Sequence, residues 1–280
     1  MGTDVTVDAV RLEKAERRFR RDMWSVAPRD AVLEAGVRMR WFGPVFATVF
    51  ADLPQAGTLN LIQGASEPGA VADGYLAEAV EWVQGWEVDF VVPVAQGHSE
   101  GALAEEWLQW HDYEQTAVVK RHACEPERLE PLGVADVEVE LMPPCEDETL
   151  AILVADGLGL PDMAEILFIG LPCLRNWRCY LARIEGEPVA TGSMMVDGTV
   201  ATLSLDATRE HARGRGCQWA LIERRLADAD AAGCRTVQAY SMDPCGEPSR
   251  ATRNLRRGGF EEVGSVVGWR PARGTDFSLA

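Results

Sequence analysis

The spacing of apolar residues divides the chain into short helices and strands. Apolar positions at three- and four-residue spacing predict helices over residues 7–24 and 71–83. The continuous apolar run VDFVVPV at residues 88–94 has the length of a buried strand. Similar patterns predict further helices over residues 29–36, 103–110, 146–157 and 162–169 and from 217 onward, and strands over residues 37–41, 45–51, 58–62, 115–120, 136–142, 177–184, 189–196, 199–208 and 235–241.

The same order of helices and strands occurs in both halves of the chain. Residues 107–114 (WLQWHDYE) fall where the second half has residues 254–261 (NLRRGGFE). Between the halves, residues 124–133 (CEPERLEPLG) are rich in proline and charge, which is typical of a linker. We therefore predict a degenerate internal duplication, with one domain at residues 1–130 and another of the same fold at 134–280. The alternative is a single domain with a long N-terminal extension.

A basic, glycine-containing turn lies between the strand at residues 199–208 and the helix that begins near Cys217. The turn consists of Arg213, Gly214, Arg215 and Gly216. Glycine lets the backbone approach a ligand closely because it has no Cβ atom. The first N–H groups of a helix have no partner within the helix and give its N-terminus a partial positive charge. The turn therefore predicts a pyrophosphate-binding site, although a solvated arginine turn would have the same sequence.

The turn and a second segment resemble the acetyl-CoA-binding motifs of the Gcn5-related N-acetyltransferase (GNAT) superfamily. The usual turn reads Arg/Gln-x-x-Gly-x-Gly/Ala; Arg213 and Gly216 match it, whereas Gln218 departs from its last position. Residues 249–260 (SRATRNLRRGGF) resemble the family's segment in which a helix leads into a strand. The resemblance, which is specific over residues 185–262, implies an α/β (α+β) fold. It implies two tandem GNAT-like domains, each with a mixed, mostly antiparallel central sheet flanked by helices.

The resemblance implies that acetyl-CoA binds as the acyl-donor cosubstrate. It implies that main-chain groups around residues 206–208 pair with the pantetheine arm like an added strand, and that one N–H group there meets the thioester carbonyl. Ser249 and Asn254 either contact the cofactor or cap and pack their short helix. Cys217 either has a lowered pKa at the helix start or simply packs there. The expected cofactor-binding residues are Ala207, Thr208, Arg213, Gly214, Arg215, Gly216, Cys217, Gln218, Ser249 and Asn254.

The groups that transfer protons are harder to assign. In many relatives a tyrosine before the Gly-Phe pair donates a proton to the departing thiolate, and Leu255 occupies that place here. Tyr240 and Ser241 on the neighbouring strand are candidate substitutes, and water is the alternative. Asp206 is a candidate base if its side chain points into the cleft, which strand alternation leaves open.

The first half of the chain lacks the charges that coenzyme A requires. Residues 41–119 contain no lysine or arginine and carry twelve carboxylates. The predicted counterpart of the phosphate turn, residues 63–69 (QGASEPG), has Glu67 where the family has cations. A pyrophosphate would meet like charge there. We therefore expect this copy not to bind the cofactor and to act as structure or as one wall of the acceptor site.

The composition is typical of a globular protein, with 47% hydrophobic residues and a mean hydropathy of −0.11. The apolar runs are too short for a membrane span, the N-terminus has no signal-like apolar region, and seven cysteines without a CxxC pair suit reduced thiols. We therefore expect a cytoplasmic protein without membrane partners. Four scattered histidines argue against a metal site. The net charge of −17 argues against nucleic acid; it suits a cationic amine or simply solubility.

These observations predict an acyl-CoA-dependent N-acyltransferase that transfers acetyl from acetyl-CoA to a primary amine of a small molecule. The rival prediction is a non-catalytic acyl-CoA-binding or scaffold protein, which the missing tyrosine favours. A third possibility keeps the fold but transfers a longer acyl group or an aminoacyl group. No pattern in the sequence sets the oligomeric state, although nine tryptophans could supply the apolar interface of a homodimer.

Overall fold

The computed structural model describes residues 9–55, 59–126, 136–143, 148–160, 165, 167–243 and 246–272. The chain forms two compact units, each built from two segments: Met1–Ala35 with Lys120–Val263, and Gly36–Val119 with Gly264–Ala280. These units differ from the predicted segments 1–130 and 134–280. Most of the predicted linker lies outside the described residues. Whether the two predicted segments descend from one ancestral domain stays a prediction.

The helices and strands follow the apolar patterns closely, except that half of the predicted helix over residues 162–169 lies outside the described residues. The helices are α1 Ala9–Ser25, α2 Arg29–Glu34, α3 Tyr75–Gln84, α4 Ser99–Trp110, α5 Thr149–Leu158, α6 Cys217–Ala231 and α7 Arg250–Arg257. The strands are β1 Val37–Phe42, β2 Val45–Phe50, β3 Leu61–Gln63, β4 Val92–Ala95, β5 Tyr113–Cys124, β6 Glu138–Leu141, β7 Trp177–Ile184, β8 Glu187–Asp197, β9 Val200–Thr208, β10 Thr236–Met242 and β11 Glu261–Pro271.

The first unit contains a sheet with the strand order β5-β10-β9-β8-β7-β6. Strands β6 to β9 pair antiparallel with their sequence neighbours, and β10 pairs parallel to β9 after the crossover helix α6. Two-residue turns join β7 to β8 and β8 to β9, and Gly186 and Gly198 supply positive φ angles of 83° and 62°. Each turn therefore joins an antiparallel hairpin. Helix α6 packs Leu221, Ile222 and Leu226 into a core that includes Ala201 and Leu203 of β9.

The second unit contains an antiparallel sheet in the order β1-β2-β3. A parallel bridge joins Leu61 of β3 to Val91, the residue before β4, after the crossover helix α3. Strand β4 pairs antiparallel with β11. The apolar core of this unit includes Val83 of α3, Val92 of β4, and Val267 and Trp269 of β11. Residues from two segments that are distant in the sequence therefore form one apolar core.

The order of elements is the same in the two halves of the chain. Three antiparallel strands, a crossover helix, a parallel strand, a second helix and a final strand occur as β1-β2-β3-α3-β4-α4-β5 and again as β7-β8-β9-α6-β10-α7-β11. The alignment of residues 107–114 with 254–261 places the last residue of α4, Trp110, on the last residue of α7, Arg257. The mixed, mostly antiparallel α/β architecture predicted from the sequence is confirmed.

The cysteines differ in part from the expectation of reduced thiols. Cys124, Cys179, Cys217 and Cys234 are free and buried. Cys173 is disulfide-bonded, so the expectation is wrong for that residue. In the described part of the chain, no helix is long and apolar enough to cross a membrane. Across the same residues, no group of three or more His, Cys, Asp and Glu side chains is placed to hold a metal ion.

Candidate functional site

Strand β9 contains a bulge near its C-terminal end. Thr191 of β8 faces Ala207 and Ser193 faces Ser204, so two residue steps on β8 match three on β9. Leu205 sits at the extra position with a φ of 53°, a conformation that non-glycine residues seldom adopt. A bulge of this kind bends its strand and turns the side chains beyond it. Backbone strain of this kind is concentrated at functional sites.

The bulge lies where β9 separates from β10. The parallel pairing of the two strands ends at Thr202 and Gln238. Among the described residues, no β10 residue pairs with Leu203–Thr208, although β10 continues to Met242. The main-chain groups on this edge of β9 can therefore accept an extended ligand as an added strand.

The basic turn and the start of α6 lie beside this edge. Gly214 and Gly216 both have a φ of 87°, which only glycine adopts without strain. The first helical hydrogen bond of α6 runs from the Ala220 N–H to the Gly216 carbonyl at 3.0 Å. The N–H groups of the preceding residues, 217–219, have no acceptor one turn earlier within the helix. The turn therefore presents donors and a partial positive charge to an anion.

A cleft of about 250 Å³ joins the turn to the open edge of β9. Gly157 of α5 forms part of its wall, and it lies so close to β9 that a Cβ atom there would be 2.4 Å from the Ala207 Cβ. The lining residues are Gly157, Thr191, Asp206, Ala207, Thr208, Ala212, Arg213, Gly214, Gly216, Cys217, Gln218, Leu221, Arg250 and Asn254. Eight of the ten expected cofactor-binding residues are in this set, and Arg215 and Ser249 are not.

The charged side chains around the cleft favour an anion. Arg213 and Arg250 line it, and the exposed Arg215 belongs to the same turn. Asp206 is the one carboxylate among the described lining residues. Both of its oxygens accept hydrogen bonds from Arg225, which is 0% exposed. The negative charge of Asp206 is therefore balanced within the protein, and the arginines at the mouth are left to attract phosphate.

The two candidate proton donors lie on β10 with other partners. The Tyr240 hydroxyl donates to Glu16 of α1 at 2.8 Å, and burial raises the pKa of Tyr240 well above its usual value. The Ser241 hydroxyl is 2.8 Å from Nε2 of the buried His122 and 2.7 Å from the Thr252 hydroxyl. Neither Tyr240 nor Ser241 lines the cleft.

Ser249 caps α7, as the alternative interpretation of this residue expected. Its hydroxyl accepts the Thr252 N–H at 3.2 Å. The carboxylate of Asp243 accepts the Ser249 N–H at 2.8 Å and the Thr252 hydroxyl proton. These hydrogen bonds, led by the one from the Ser249 backbone, hold the pKa of Asp243 well below its ordinary range. The Asp243 carboxylate thus fixes the N-terminus of α7, which carries Arg250 and Asn254 to the cleft.

Cys217 packs at the start of α6 and has no lowered pKa. Its side chain is 2% exposed, and burial raises the pKa of the thiol above its usual value. The neighbouring Gln218 accepts a hydrogen bond from the Asn254 amide at 2.7 Å. This bond links α6 to α7 across the cleft. It also gives a structural reason for the glutamine that departs from the usual motif.

The second unit has a corresponding turn, at a different place from the one predicted. Helix α3 begins after Gly74, whose φ of 81° matches the 87° of Gly216 before α6. The structural counterpart of residues 213–216 is therefore residues 71–74, Val-Ala-Asp-Gly, rather than residues 63–69. Asp73 stands where the first unit has Arg215.

Residues 63–67 follow a different path from residues 203–208 of the first unit. The Ser66 hydroxyl accepts the N–H of Ala95, the last residue of β4, at 2.8 Å. Ala65, Ser66 and Glu67 are all buried. The chain after β3 therefore stays bonded to β4, whereas the chain after Thr202 separates from β10. The Ser66 hydroxyl therefore lies against the end of β4, whereas the corresponding edge of β9 is unpaired with β10.

The sequence interpretation assigned no role to four residues that line the cleft: Thr191, Ala212, Leu221 and Arg250. Thr191 comes from a strand that precedes the turn by many residues, and only the fold brings it to the cleft. Arg250 was detectable, because it directly follows Ser249 in a segment already associated with cofactor contacts. A cation at the first residue of a helix that faces a candidate phosphate site is a usable signal.

Comparisons with known proteins place this geometry in a known fold. No family model matches the sequence, and no curated protein matches it. A GCN5-related N-acetyltransferase from Kribbella flavida has a similar structure, with a TM-score of 0.66 and 16% identity over 96% of this chain and 98% of that one. Another from Sphaerobacter thermophilus has a TM-score of 0.57 and 17% identity over 85% of this chain and 84% of that one.

A tandem GNAT protein from the clavulanic acid biosynthesis pathway also has a similar structure. It has a TM-score of 0.59 and 12% identity over 93% of this chain and 96% of that one. These similarities extend over nearly the whole chain. The chain has the GCN5-related N-acetyltransferase fold in a tandem arrangement, and the resemblance inferred from the sequence is confirmed at the level of fold.

Proposed function

We propose that this chain, built on the GCN5-related N-acetyltransferase fold, is an acyl-CoA-dependent N-acyltransferase that transfers acetyl from acetyl-CoA to a primary amine of a small molecule. One observation carries the proposal. A single cleft is lined by the free edge of β9, by the turn with two positive-φ glycines and by the N-terminus of α6. These features suit the extended arm and the pyrophosphate of one coenzyme A molecule.

Each feature of the cleft has a binding role in this proposal. The N–H groups at the start of α6 and the turn arginines hold the pyrophosphate. The main-chain groups of Leu203–Thr208 pair with the pantetheine amides. Arg250 adds a cation for a further phosphate, and the Asn254–Gln218 hydrogen bond keeps α7 beside α6. A carrier without phosphate would leave these cations unused.

In the chemical step, the amine nitrogen attacks the thioester carbon, the carbon–sulfur bond breaks, and the thiolate leaves with its electron pair. An N–H group on the open edge of β9 stabilises the oxyanion of the tetrahedral intermediate. The Tyr240 hydroxyl is engaged with Glu16, so water supplies the proton to the thiolate and takes the proton of the amine. The net charge of −17 favours a cationic acceptor by attracting it to the protein.

The test combines calorimetric titration with acetyl-CoA and a thiol-release assay over a panel of small amines. We expect one acetyl-CoA site per chain and turnover with at least one amine. Arg250→Ala should weaken binding by about tenfold through the loss of one charge-assisted phosphate contact. Arg256→Ala is the matched control, because Arg256 lies on the same helix outside the cleft. Equal affinities for the two variants would contradict the role of Arg250.

A second candidate is a non-catalytic acyl-CoA-binding or scaffold protein. Leu255 replaces the usual tyrosine, and the hydroxyls of Tyr240 and Ser241 have partners outside the cleft. Tight binding of acetyl-CoA without thiol release on any amine would select this alternative. Tighter binding of longer thioesters than of acetyl-CoA would instead indicate a different acyl donor. Absence of acetyl-CoA binding would refute both acyl-CoA functions.

A further inference from the structure

Arg225 is a fully buried arginine whose guanidinium joins three elements. Its Nε donates to the Leu221 carbonyl of α6 at 3.0 Å, and its Nη1 donates to the Ser193 carbonyl of β8 at 3.1 Å. Nη1 and Nη2 donate to the two oxygens of Asp206 on β9. A buried guanidinium needs such partners because its desolvation is costly. The two-pronged contact with Asp206 also fixes the orientation of both side chains.

Gly192 leaves the space that Arg225 occupies. A Cβ atom at Gly192 would lie 2.8 Å from Nη1 and 2.9 Å from Cζ of Arg225. The guanidinium therefore lies directly against the β8 backbone, next to the bulge of β9. Three residues that are far apart in the sequence, Gly192, Asp206 and Arg225, thus form one arrangement.

The bulge is what brings Asp206 to Arg225. Ala201 and Leu203 pack in the core with α6, whereas Val200 packs with Leu12 of α1, so odd-numbered positions of β9 face α6 before the bulge. Regular alternation would turn Asp206 away from α6. The extra residue at Leu205 reverses the alternation, and Asp206 faces Arg225. An unpaired Arg225 would remain buried if the bulge relaxed to a regular strand.

We propose that the Asp206–Arg225 ion pair holds the bulge of β9 in the conformation that offers the Leu203–Thr208 edge to the acyl donor. Asp206 is then a positioning residue and not the base suggested by the sequence. The side chain of Arg225 is 1% exposed and that of Asp206 is 28% exposed. Asp206 reaches the cleft, but both of its oxygens are directed to the guanidinium. This inference rests on the proposed acyl-CoA function for its ligand but not for its geometry.

The test uses four variants of the full chain. Asp206→Asn and Arg225→Met each remove one partner, and the double variant removes both. Asp228→Asn is the matched control, because Asp228 pairs with Arg224 on the same helix, outside the cleft. Three properties are measured: the melting temperature, the amide hydrogen exchange of residues 203–208 without ligand, and the affinity for acetyl-CoA.

We expect Asp206→Asn to lower the melting temperature, speed exchange at residues 203–208 and weaken acetyl-CoA binding by about tenfold. The double variant should regain melting temperature, since no charge is left buried alone, while exchange stays fast and affinity stays low. Asp228→Asn should leave both the exchange and the affinity unchanged. With any amine that supports turnover, Asp206→Asn should keep the wild-type pH profile of kcat.

Three results would overturn the proposal. Affinity that returns together with melting temperature in the double variant would show that the pair contributes only to folding. Loss of one limb of the kcat pH profile in Asp206→Asn would show that Asp206 acts as a base. If the wild-type chain binds no acetyl-CoA, the proposed function fails. The exchange of residues 203–208 still decides whether the pair holds the bulge, with unchanged exchange refuting it.

Discussion

The two halves of the chain each contain a strand, a crossover helix and a parallel strand, and they differ in the path of the chain after the first strand. After Thr202, β9 bulges and separates from β10, and its edge faces a cleft. After Gln63, the chain turns so that the Ser66 hydroxyl bonds to Ala95 at the end of β4. The crossover helix begins after a positive-φ glycine in both halves.

The comparison separates two conditions for binding a phosphorylated cofactor. A glycine turn at the start of a helix is present in both halves, so under the proposal that only the first unit binds the cofactor, the turn alone is not sufficient. The first unit adds cations at Arg213 and Arg215 and an open strand edge, whereas the second unit has Asp73 in its turn and a segment bonded to β4 through Ser66. The sequence indicated only the difference in charge. The structure adds a difference in the path of the chain, because the Ser66 hydroxyl holds the segment after β3 against Ala95 of β4.

The largest expected effect comes from equivalent substitutions at the two helix-start glycines. Gly216→Glu should weaken acetyl-CoA binding by about a hundredfold, or about 2.8 kcal/mol, because it places a carboxylate at the phosphate site. Gly74→Glu introduces the same backbone strain, with a φ of 81° against 87°. Calorimetry and thermal melting should show similar losses of stability but lost binding only for Gly216→Glu. Equal affinities for acetyl-CoA in the two variants would contradict the proposed difference in ligand binding between the two halves.

A smaller effect is expected from removing the Ser66 hydroxyl, which holds the segment after β3 against β4. Ser66→Ala removes the acceptor of the Ala95 N–H, and Ala95 is 4% exposed. The free energy of unfolding should fall by about 1–3 kcal/mol, because a buried donor is left unpaired. Denaturant unfolding measures this fall in the free energy of unfolding. Acetyl-CoA should still bind at one site per chain, because Asp73 remains in the turn.

Ser265→Ala is the control for this variant. It removes an exposed hydrogen bond to Gln96 in the same unit and should cost less. A second acetyl-CoA site in Ser66→Ala would show that the hydrogen bond between Ser66 and Ala95, and not the charge of Asp73, keeps the ligand out of the second unit. Equal losses of stability in the two serine variants would show that the buried bond does not hold the turn.

The smallest effect is expected from Asp243, whose carboxylate holds the N-terminus of α7 beside the cleft. Asp243 has a lowered pKa in the folded state, so its stabilising effect is complete above its ordinary pKa of about 4 and is lost as the pH falls below that value. Asp243→Asn should therefore be less stable than wild type at neutral pH. The difference should shrink as the pH approaches about 2.

Denaturant unfolding at several pH values measures this difference. Asp30→Asn, which removes an exposed carboxylate of α2, is the control. A difference between Asp243→Asn and wild type that does not change with pH would show that the hydrogen bonds to this carboxylate do not depend on its charge.

Local patterns in the sequence were enough to predict much of this molecule. Apolar spacing located most elements, among them the helix predicted at residues 71–83 and the strand predicted at residues 199–208. The turn at residues 213–216 was recognisable because phosphate binding needs glycine and cations next to each other. The roles of the predicted cofactor-binding residues remain predictions, although most of them line one cleft.

The features that escaped prediction depend on contacts between distant segments. Strand alternation could not orient Asp206, because the bulge at Leu205 depends on pairing with β8 and on the buried Arg225. The counterpart turn was placed at residues 63–69, because glycine content alone does not show that α3 begins after Gly74. The two compact units combine segments that are separated in the sequence, because pairing across the sheet, not sequence continuity, decides them.

The core of the second unit has a consequence for how the protein is made. Val267 and Trp269 complete a core whose other members lie between Phe42 and Tyr113. Chain elongation at about 5–20 residues per second separates the synthesis of Val119 from that of Val267 by about 7–30 s. During this interval the ribosome carries an unfinished core with exposed apolar surface. The C-terminal strand therefore sets the earliest moment at which that core is complete.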